Sequence, residues 1–353
     1  MVLSKEKIIE QLKTIKYPGY NRDIVSFGMV KDLVLQNSTI KAVLNLTSPN
    51  PEVQEQIATL VRQRLESLPE VKRVDIEIMT STGPSGQPPV KQAQSPLIPE
   101  VRYKIAVASG KGGVGKTTVA VNLAVALASR GARVGLLDAD IYGPNVPMML
   151  GVSEKPTMKG DKIVPLVRHD VGIMSIGFFL EENTPVIWRG PLVGKAIEQL
   201  LRDVAWDGID YLVIDLPPGT GDAQISLSHL VQLSGSIIVT TPQDVALTDA
   251  SKGVLMFQKV GVEILGIIEN MSHFICPHCG ERSEIFSHGG ARRISDKLHI
   301  PFLGEIPLDT AIRQGGDQGQ PIVVVHPDSP SANAFYAISD QVLMHLPLPK
   351  EER

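Results

Sequence analysis

Short apolar runs alternate with helical patterns along residues 100–353. Runs typical of β-strands cover 103–108, 133–138, 211–215, 236–240, 264–269 and 301–304. The segments between them are helical in pattern and long enough to cross over a sheet, so the strands are expected to run mostly in parallel. The pattern therefore predicts the α/β class, with a doubly wound, mostly parallel sheet wrapped by helices.

The first 80 residues follow a different pattern. A helical stretch near 5–15 precedes an apolar segment at 30–35 and an alternating strand at 40–46, and a helix over 51–68 precedes a strand at 71–78. This order predicts a small α+β domain over residues 1–80. Residues 81–99 are dense in Gly, Pro, Ser and Gln, which is typical of a flexible linker. Residues 100–353 are then expected to form a second, larger domain.

Composition and charge narrow the possible partners. Of the 353 residues, 43% are hydrophobic and 20% are charged, with a net charge of −4. Such a balance gives no bulk positive field for a phosphate backbone, so no nucleic-acid partner is expected. The first residues mix lysines with glutamates, unlike a secretory signal, and no later stretch is apolar for long enough to span a bilayer. We expect a cytoplasmic protein with no membrane partner.

One glycine-rich segment carries nucleotide chemistry. Residues 110–117 read GKGGVGKT, which satisfies G-x-x-x-x-G-K-[ST], and they lie between a predicted strand and a helical pattern. Glycines allow backbone N–H groups to surround phosphate oxygens, while Lys116 neutralises phosphate charge and Thr117 offers a hydroxyl to Mg²⁺. An ordinary glycine-rich turn is the alternative. The predicted ATP-binding residues here are Gly110, Gly112, Gly113, Val114, Gly115, Lys116, Thr117 and Thr118.

A second lysine, Lys111, meets no requirement of the simple phosphate-binding loop. In this respect the segment resembles the deviant Walker A ATPases, a class of P-loop NTPases. In that class the extra lysine reaches across a homodimer to the partner's nucleotide, much as an arginine finger does. The resemblance implies that Lys111 and Lys116 act together in catalysis, with a solvated loop lysine as the alternative for Lys111.

Acidic residues end two of the predicted strands. Asp138 and Asp140 follow one apolar run and Asp215 ends another, at the edge where a doubly wound sheet presents groups to its ligand. Asp140 is our candidate for orienting the attacking water, although Asp138 could do so instead or hold Mg²⁺ through water. Asp215 has the position of a Walker B aspartate and is expected to bind the metal through water.

A third strand, 264–268, is followed by Glu269 and Asn270. Similar ATPases use an asparagine at this point to hydrogen-bond the adenine, so the resemblance makes Asn270 a nucleotide-binding residue. An asparagine that merely forms a turn is the alternative.

The two cysteines of the chain, Cys276 and Cys279, lie in the run CPHCG. Two thiolates at this spacing can face one metal, but structural zinc and iron–sulfur sites usually need four ligands. Two identical subunits could supply four thiolates around a twofold axis. The alternative within one chain is zinc held by both cysteines and two of His273, His278 and His288; a thioredoxin-like redox pair fits the fold context less well.

Several motifs together resemble the Mrp/ApbC family of iron–sulfur cluster carrier ATPases. They are GKGGVGKTT at 110–118, DADIYGPNVP at 138–147, WRGP at 188–191, VIDLPPGTGD at 213–222 and NMSHFICPHCG at 270–280. The resemblance implies a homodimer that binds ATP, Mg²⁺ and a [4Fe-4S] cluster. It also implies ATP hydrolysis coupled to cluster transfer, with apo iron–sulfur proteins and cluster assembly scaffolds as partners.

The N-terminal residues resemble the small iron–sulfur assembly domain that precedes such ATPases, in DIVSFGMVKDL at 23–33 and LTSP at 46–49. Such domains often carry a cysteine just after this second element, whereas Asn50 and Pro51 stand here. We therefore expect the domain to contact partners rather than to bind metal.

Two rival functions share these features. A spatial-regulation ATPase of the MinD/ParA kind has the same loop, but its membrane-binding versions need a basic amphipathic tail, and residues 346–353 are broken by prolines and mixed in charge. A zinc or nickel insertion ATPase remains open because thiolates accept zinc as well as iron–sulfur clusters.

Overall fold

The computed structural model describes residues 5–15, 23–26, 28–36, 39–45, 51–71, 73–79, 97–180, 190–276 and 278–349. The chain divides into two compact units, Met1–Gln92 and Ala93–Arg353. Most of the predicted linker, residues 81–96, and the first half of the predicted motif at 188–191 lie outside the described residues. The domain bounds at residues 80 and 100 stay a prediction.

The first unit is a small α+β structure. In chain order its elements are α1 (Lys5–Leu12), β1 (Val30–Gln36), β2 (Thr39–Asn45), α2 (Pro51–Glu66) and β3 (Arg73–Met79). Strand β2 lies in the centre, antiparallel to β1 and parallel to β3. Leu12, Ile40 and Ile57 are fully buried in its core. The elements predicted from the apolar pattern are confirmed.

The second unit contains a mostly parallel sheet. The strands of this unit are β4 (Tyr103–Ala108), β5 (Val134–Asp138), β6 (Thr157–Lys159), β7 (Lys162–Val164), β8 (Leu166–Arg168), β9 (Val171–Ser175), β10 (Tyr211–Asp215), β11 (Gly235–Thr240), β12 (Ile264–Glu269), β13 (Phe274–Ile275), β14 (Arg282–Ser283) and β15 (Phe302–Glu305). Strands β6 and β7 form a two-stranded sheet of their own, as do β13 and β14. The large sheet has eight strands in the order β15-β12-β11-β4-β10-β5-β9-β8, and only β8 is antiparallel to its neighbour.

Helices surround this sheet. They are α3 (Lys116–Ser129), α4 (Val146–Met149), α5 (Gly190–Asp203), α6 (Asp222–Leu230), α7 (Asp244–Lys259), α8 (Gly290–Leu298), α9 (Thr310–Asp317), α10 (Ile322–Val325) and α11 (Pro330–His345), with a 3₁₀ helix at Ile176–Phe179. Every residue of β5, β10, β11 and β12 is buried, which requires cover on both faces of the sheet. The predicted fold class is confirmed.

Sequence patterns missed the short strands β6 to β9. Strands β6, β7 and β8 have only three residues each, too few for an alternating pattern, whereas β9 is apolar and mostly buried and was missed all the same. The turn between β8 and β9 places His169 and Asp170 at φ 51° and 60°, the left-handed geometry of a two-residue hairpin. Within the described residues, no helix has the length and apolar character needed to cross a membrane.

The register of the central strands brings their carboxyl ends to one edge. Asp215 of β10 pairs with Asp138 of β5, and Asp138 pairs in turn with Ser175 of β9. Strand β4 lies on the other side of β10 and leads into the glycine-rich loop. Polar groups from strands far apart in sequence therefore meet at this edge, as expected for a doubly wound sheet.

Candidate functional site

The glycine-rich loop joins β4 to α3 and is shaped by its glycines. Gly113 and Gly115 adopt φ values of 80° and 81°, which only glycine adopts without strain. A Cβ on Gly110 would lie 2.2 Å from the backbone carbon of Asp249 in α7, so no side chain fits there. Helix α3 begins at Lys116, directly after the loop, and its N-terminus favours an anion. The local structure is therefore that of a phosphate cradle.

A cavity of about 790 Å³ opens beside this loop. That volume lies within the usual range for small-ligand pockets. Of the predicted residues, the cavity is lined by Gly112, Gly113, Gly115, Lys116, Thr117, Thr118, Asp140 and Asn270, whereas Gly110, Lys111, Val114, Asp138 and Asp215 do not line it. Sequence analysis missed a second wall formed by Met271, Pro307, Leu308, Asp309, Ile312 and Arg313.

Lys116 lies among carboxylates at the base of the cavity. Its Nζ is 2.6 Å from Asp215 Oδ1 and 3.5 Å from Asp140 Oδ2, and Thr117 Oγ1 donates to Asp215 Oδ2 at 2.7 Å. Burial raises the pKa of Asp215 and that of Asp140, and the positive charge of Lys116 opposes both shifts. The site thus gathers an ammonium, a hydroxyl and two carboxylates, the groups that engage a magnesium nucleotide in other phosphate loops.

Asp138 is held away from the cavity by hydrogen bonds. It is fully buried, and its carboxylate accepts from the backbone N–H of Asp140 and of Val146, both at 3.2 Å, and from Ser175 Oγ at 3.0 Å. Burial and the nearby charge of Asp215 raise the pKa of Asp138, and these hydrogen bonds oppose the rise. Asp138 therefore braces the backbone that carries Asp140.

Asn270 touches the phosphate loop directly. Its Nδ2 donates to the carbonyl oxygen of Val114 at 2.8 Å, across 156 positions of sequence. The neighbouring Glu269 is fully buried and accepts from the N–H groups of Gly289 and Ala291 at the start of α8. One N–H of Nδ2 is engaged with the loop, so the side-chain oxygen and the second N–H of Asn270 are left for a base. The adenine contact stays a prediction.

Lys111 is half-buried in the loop but does not line the cavity of its own chain. The hydroxyl of Ser109 donates to its backbone carbonyl at 2.9 Å, which fixes the backbone and leaves the side chain out of that contact. This placement is compatible with the predicted reach toward a second subunit, which stays a prediction.

The two cysteines lie at the tip of a short hairpin. Strands β13 and β14 pair, the N–H of Cys276 donates to Glu281 O at 2.9 Å, and the N–H of Gly280 donates to Cys276 O at 2.8 Å. Gly280 has a φ of 71°, which allows the tight turn. Cys276 is half-buried and Cys279 is exposed. Hydrogen bonds from the backbone N–H groups of Cys279 and His278 lower the pKa of the Cys276 thiol, so its thiolate forms more readily.

Two of the three alternative zinc ligands, His273 and His288, have side-chain hydrogen-bond partners of their own. His273 Nδ1 lies 2.7 Å from Ser272 Oγ, and His288 Nε2 lies 2.6 Å from Glu305 Oε2. Across the described residues, the only set of three or more potential metal-ligating side chains with ligand atoms within 4.8 Å of one another is Glu269, His288 and Glu305, and it includes neither cysteine. In the part of the chain that the structure describes, one subunit does not gather four ligands around the cysteines.

The hairpin and the nucleotide cavity share a framework. After Asn270, the N–H of Ser272 donates to Ile306 O at 3.0 Å, and the N–H of Leu308 donates to His273 O at 2.7 Å. The segment 305–308 thus supports the hairpin, and Leu308 also lines the cavity. The same backbone therefore holds both sites.

Comparison with known families and proteins agrees with this arrangement. The family model described as NUBPL iron-transfer P-loop NTPase matches residues 100–343, and one described as iron-sulfur cluster assembly protein matches residues 5–78. An iron-sulfur cluster carrier protein of Synechocystis is 42% identical over 97% of this chain and 97% of its own length. A mitochondrial iron-sulfur protein of Arabidopsis thaliana required for NADH dehydrogenase is 52% identical over 70% of this chain and 79% of its own length.

Solved structures resemble the second unit. A nucleotide-binding protein of Archaeoglobus fulgidus, in complex with ADP and with cobalt present, has a TM-score of 0.59 and 38% identity, covering 67% of this chain and 93% of that protein. The cell division ATPase MinD of Pyrococcus furiosus has a TM-score of 0.53 and 28% identity, covering 69% of this chain and 98% of that protein. Both similarities indicate that the second unit shares its fold with these two proteins.

Proposed function

Because the chain belongs to the family of NUBPL iron-transfer P-loop NTPases, we propose that it carries an iron–sulfur cluster and transfers it to apo iron–sulfur proteins in a cycle driven by ATP. The observation that carries this proposal is the shared framework of residues 269–276 and 305–308. These segments hold both the nucleotide cavity and the cysteine hairpin. A chain that only partitioned along a surface would not need thiols at that place.

The loop fits ATP through its own groups. Backbone N–H groups at the start of α3 bind the phosphates, and Lys116 leaves Asp215 to neutralise the β- and γ-phosphates. The Thr117 hydroxyl and the Asp215 carboxylate, 2.7 Å apart, fit the oxygen chemistry of Mg²⁺. Bound there, Mg²⁺ would neutralise developing phosphate charge.

Hydrolysis is assigned to residues on both subunits. Asp140 lies at the cavity wall and is the group that orients the attacking water. Lys111, which does not line its own cavity, supplies charge to the nucleotide of the second copy. Asn270 offers its side-chain oxygen to the adenine amino group, while its nitrogen remains on Val114.

The cluster is held between two copies of the chain. Cys276 and Cys279 of each subunit together supply four thiolates, the usual ligand set of a [4Fe-4S] cluster. The exposure of Cys279 suits cargo that must leave for a recipient. The first unit, matched by the assembly-protein family model, contacts recipients or assembly scaffolds, and the whole cycle takes place in the cytoplasm.

Anaerobic reconstitution tests the proposal. Wild type, Cys276→Ala and Cys279→Ala are loaded with iron and sulfide, and iron, sulfide and zinc are counted per two chains. We expect about four iron and four sulfide for the wild type, in a dimer by sedimentation, and loss of both in each variant, with ATP affinity retained. His278→Ala, at the same turn, is the matched control and should keep its cluster.

Transfer and hydrolysis form the second arm. The loaded wild type should restore the absorption of an apoprotein that requires a [4Fe-4S] cluster. Lys116→Ala should abolish ATP turnover, because the phosphates lose their main fixed counter-charge. A colourless zinc-bound protein, or cluster retention in Cys279→Ala, would contradict the proposed cargo site.

A further inference from the structure

A buried serine stands behind the residue assigned to the attacking water. Ser175 ends β9 and is fully buried, and its Oγ donates to Asp138 Oδ2 at 3.0 Å. The same Oγ accepts from the N–H of Gly177 at 3.0 Å, in the first turn of the 3₁₀ helix. Since the acceptor and donor roles of this hydroxyl are both filled, its proton is directed at Asp138.

Asp138 in turn ties down both ends of one loop. The N–H of Asp140 donates to Oδ1 and the N–H of Val146 donates to Oδ2, both at 3.2 Å. The loop between them packs on the serine's own turn, because a Cβ on Gly177 would lie only 3.3 Å from Pro144. Residues 140–146 are therefore held at each end and in the middle by one buried cluster.

This loop faces the nucleotide. Asp140, Tyr142 and Asn145 line the cavity, and Asp140 Oδ2 is 3.5 Å from Lys116 Nζ. The phosphate-binding N–H groups lie instead at the start of α3, which neither Ser175 nor Asp138 contacts by a hydrogen bond within the described residues. The buried cluster is thus connected to the hydrolytic side of the site and separate from its phosphate cradle.

We propose that Ser175 is a positioning residue for ATP hydrolysis, acting through Asp138 to hold the 140–146 loop so that Asp140 stays beside Lys116. This inference rests on the ATP hydrolysis proposed above. It predicts an effect on turnover and little effect on nucleotide affinity, since the cradle remains intact. A positional error of a fraction of an ångström at a water-orienting carboxylate is enough to slow hydrolysis.

The test uses the full-length chain with Ser175→Ala. We expect kcat for ATP hydrolysis to fall about tenfold, the effect of losing one buried hydrogen bond to Asp138, and the Kd for ATP to stay within about twofold. Ser339→Ala is the matched control, because Ser339 is also fully buried and its Oγ donates to Tyr336 O at 2.7 Å in α11, outside the cavity lining. The control should lose stability without losing kcat.

Two further measurements decide whether the effect passes through Asp138. In the Asp138→Asn background, Ser175→Ala should cause no additional loss of kcat; an equal loss in both backgrounds would refute the route. Hydrogen exchange at the amides of Asp140 and Val146 should quicken in Ser175→Ala and not in Ser339→Ala. Unchanged protection at both amides overturns the proposal whether or not the chain hydrolyses ATP.

Ser175→Cys keeps the assay valid should the alanine variant fail to fold. A thiol has a similar shape and donates a weaker hydrogen bond, so kcat should fall, but by less than the tenfold expected for loss of the hydrogen bond. Wild-type turnover in that variant would count against the serine. Absence of hydrolysis in the wild type would instead refute the proposed ATPase function and leave the exchange result to decide the role of Ser175.

Discussion

Replacement of Gly115 by alanine should separate two physical requirements of the phosphate loop. The residue has a φ of 81°, and a Cβ there would lie 2.2 Å from Asn270 Nδ2. That nitrogen donates to the buried carbonyl of Val114 at 2.8 Å. The substitution therefore adds left-handed strain and also drives the amide off its acceptor.

The backbone strain and the displaced Asn270 amide can be separated, because Gly113→Ala serves as a control for the strain alone. A left-handed alanine costs about 1–2 kcal/mol. Displacing Asn270 and leaving a buried carbonyl unpaired costs a further free energy of about 1–3 kcal/mol. Gly113 has a φ of 80° with no atom within 4 Å of its added Cβ, so Gly113→Ala carries the strain alone. We expect Gly115→Ala to be less stable than Gly113→Ala by about 1–3 kcal/mol.

The assay is equilibrium urea unfolding of the nucleotide-free chain, followed by tryptophan fluorescence. Trp206 is fully buried in the second unit and reports its unfolding. The comparison needs equal m-values in the two variants, so that a difference in midpoint reflects stability. Equal losses of stability in Gly115→Ala and Gly113→Ala would show that the contact between Asn270 and the loop contributes nothing, and would refute the reasoning.

Other substitutions test separate parts of the structure. Hydrogen bonds from Arg133 lower the pKa of Asp210. The stabilisation from this carboxylate is therefore present above the unfolded pKa near 4 and is lost as the pH falls through the folded pKa. In urea unfolding, Asp210→Asn should cost about 1–2 kcal/mol at pH 7 and should match the wild type near pH 2. Glu269→Gln, which loses an acceptor for the start of α8, should lower stability by about 1–3 kcal/mol in thermal melting, whereas Glu263→Gln, at an exposed position, should be nearly neutral. Lys111→Ala and Lys116→Ala should each be inactive, whereas mixed dimers should regain ATP turnover, because one site then holds an intact Lys116 and the partner's lysine; a mixture without activity would argue against action across the interface.

Most of the second unit's strands could be predicted from the local sequence alone. The strands that are buried on both faces are largely apolar, and each lies next to a turn or ends in an acidic residue, so β4, β5, β10, β11 and β12 could be located from their composition. The phosphate loop was equally clear, because its glycines are required by backbone geometry at fixed positions.

Contacts between distant segments could not be predicted from the same signals. The pairing of Asn270 with Val114 depends on how β12 and the loop meet in space, and no pattern in either segment encodes it. Ser175 left one weak trace, since a polar residue ends an otherwise apolar run and a glycine follows two positions later. The sequence predicts both Asp138 and Asp140 as site residues, but only the three hydrogen-bond donors around Asp138 distinguish a brace from a group that lines the cavity.

The cysteine hairpin leaves and rejoins the sheet framework at nearly one point, since Phe274 and Ser283 are directly paired. A hairpin whose two strands pair with each other can change the length or composition of its tip with little loop-closure entropy cost and without disturbing the surrounding core. The ligand bound at the hairpin tip can therefore change during evolution while the nucleotide-binding domain stays the same. This independence can be tested with chimaeras in which the ten-residue hairpin 274–283 is inserted into a related ATPase that lacks the two cysteines.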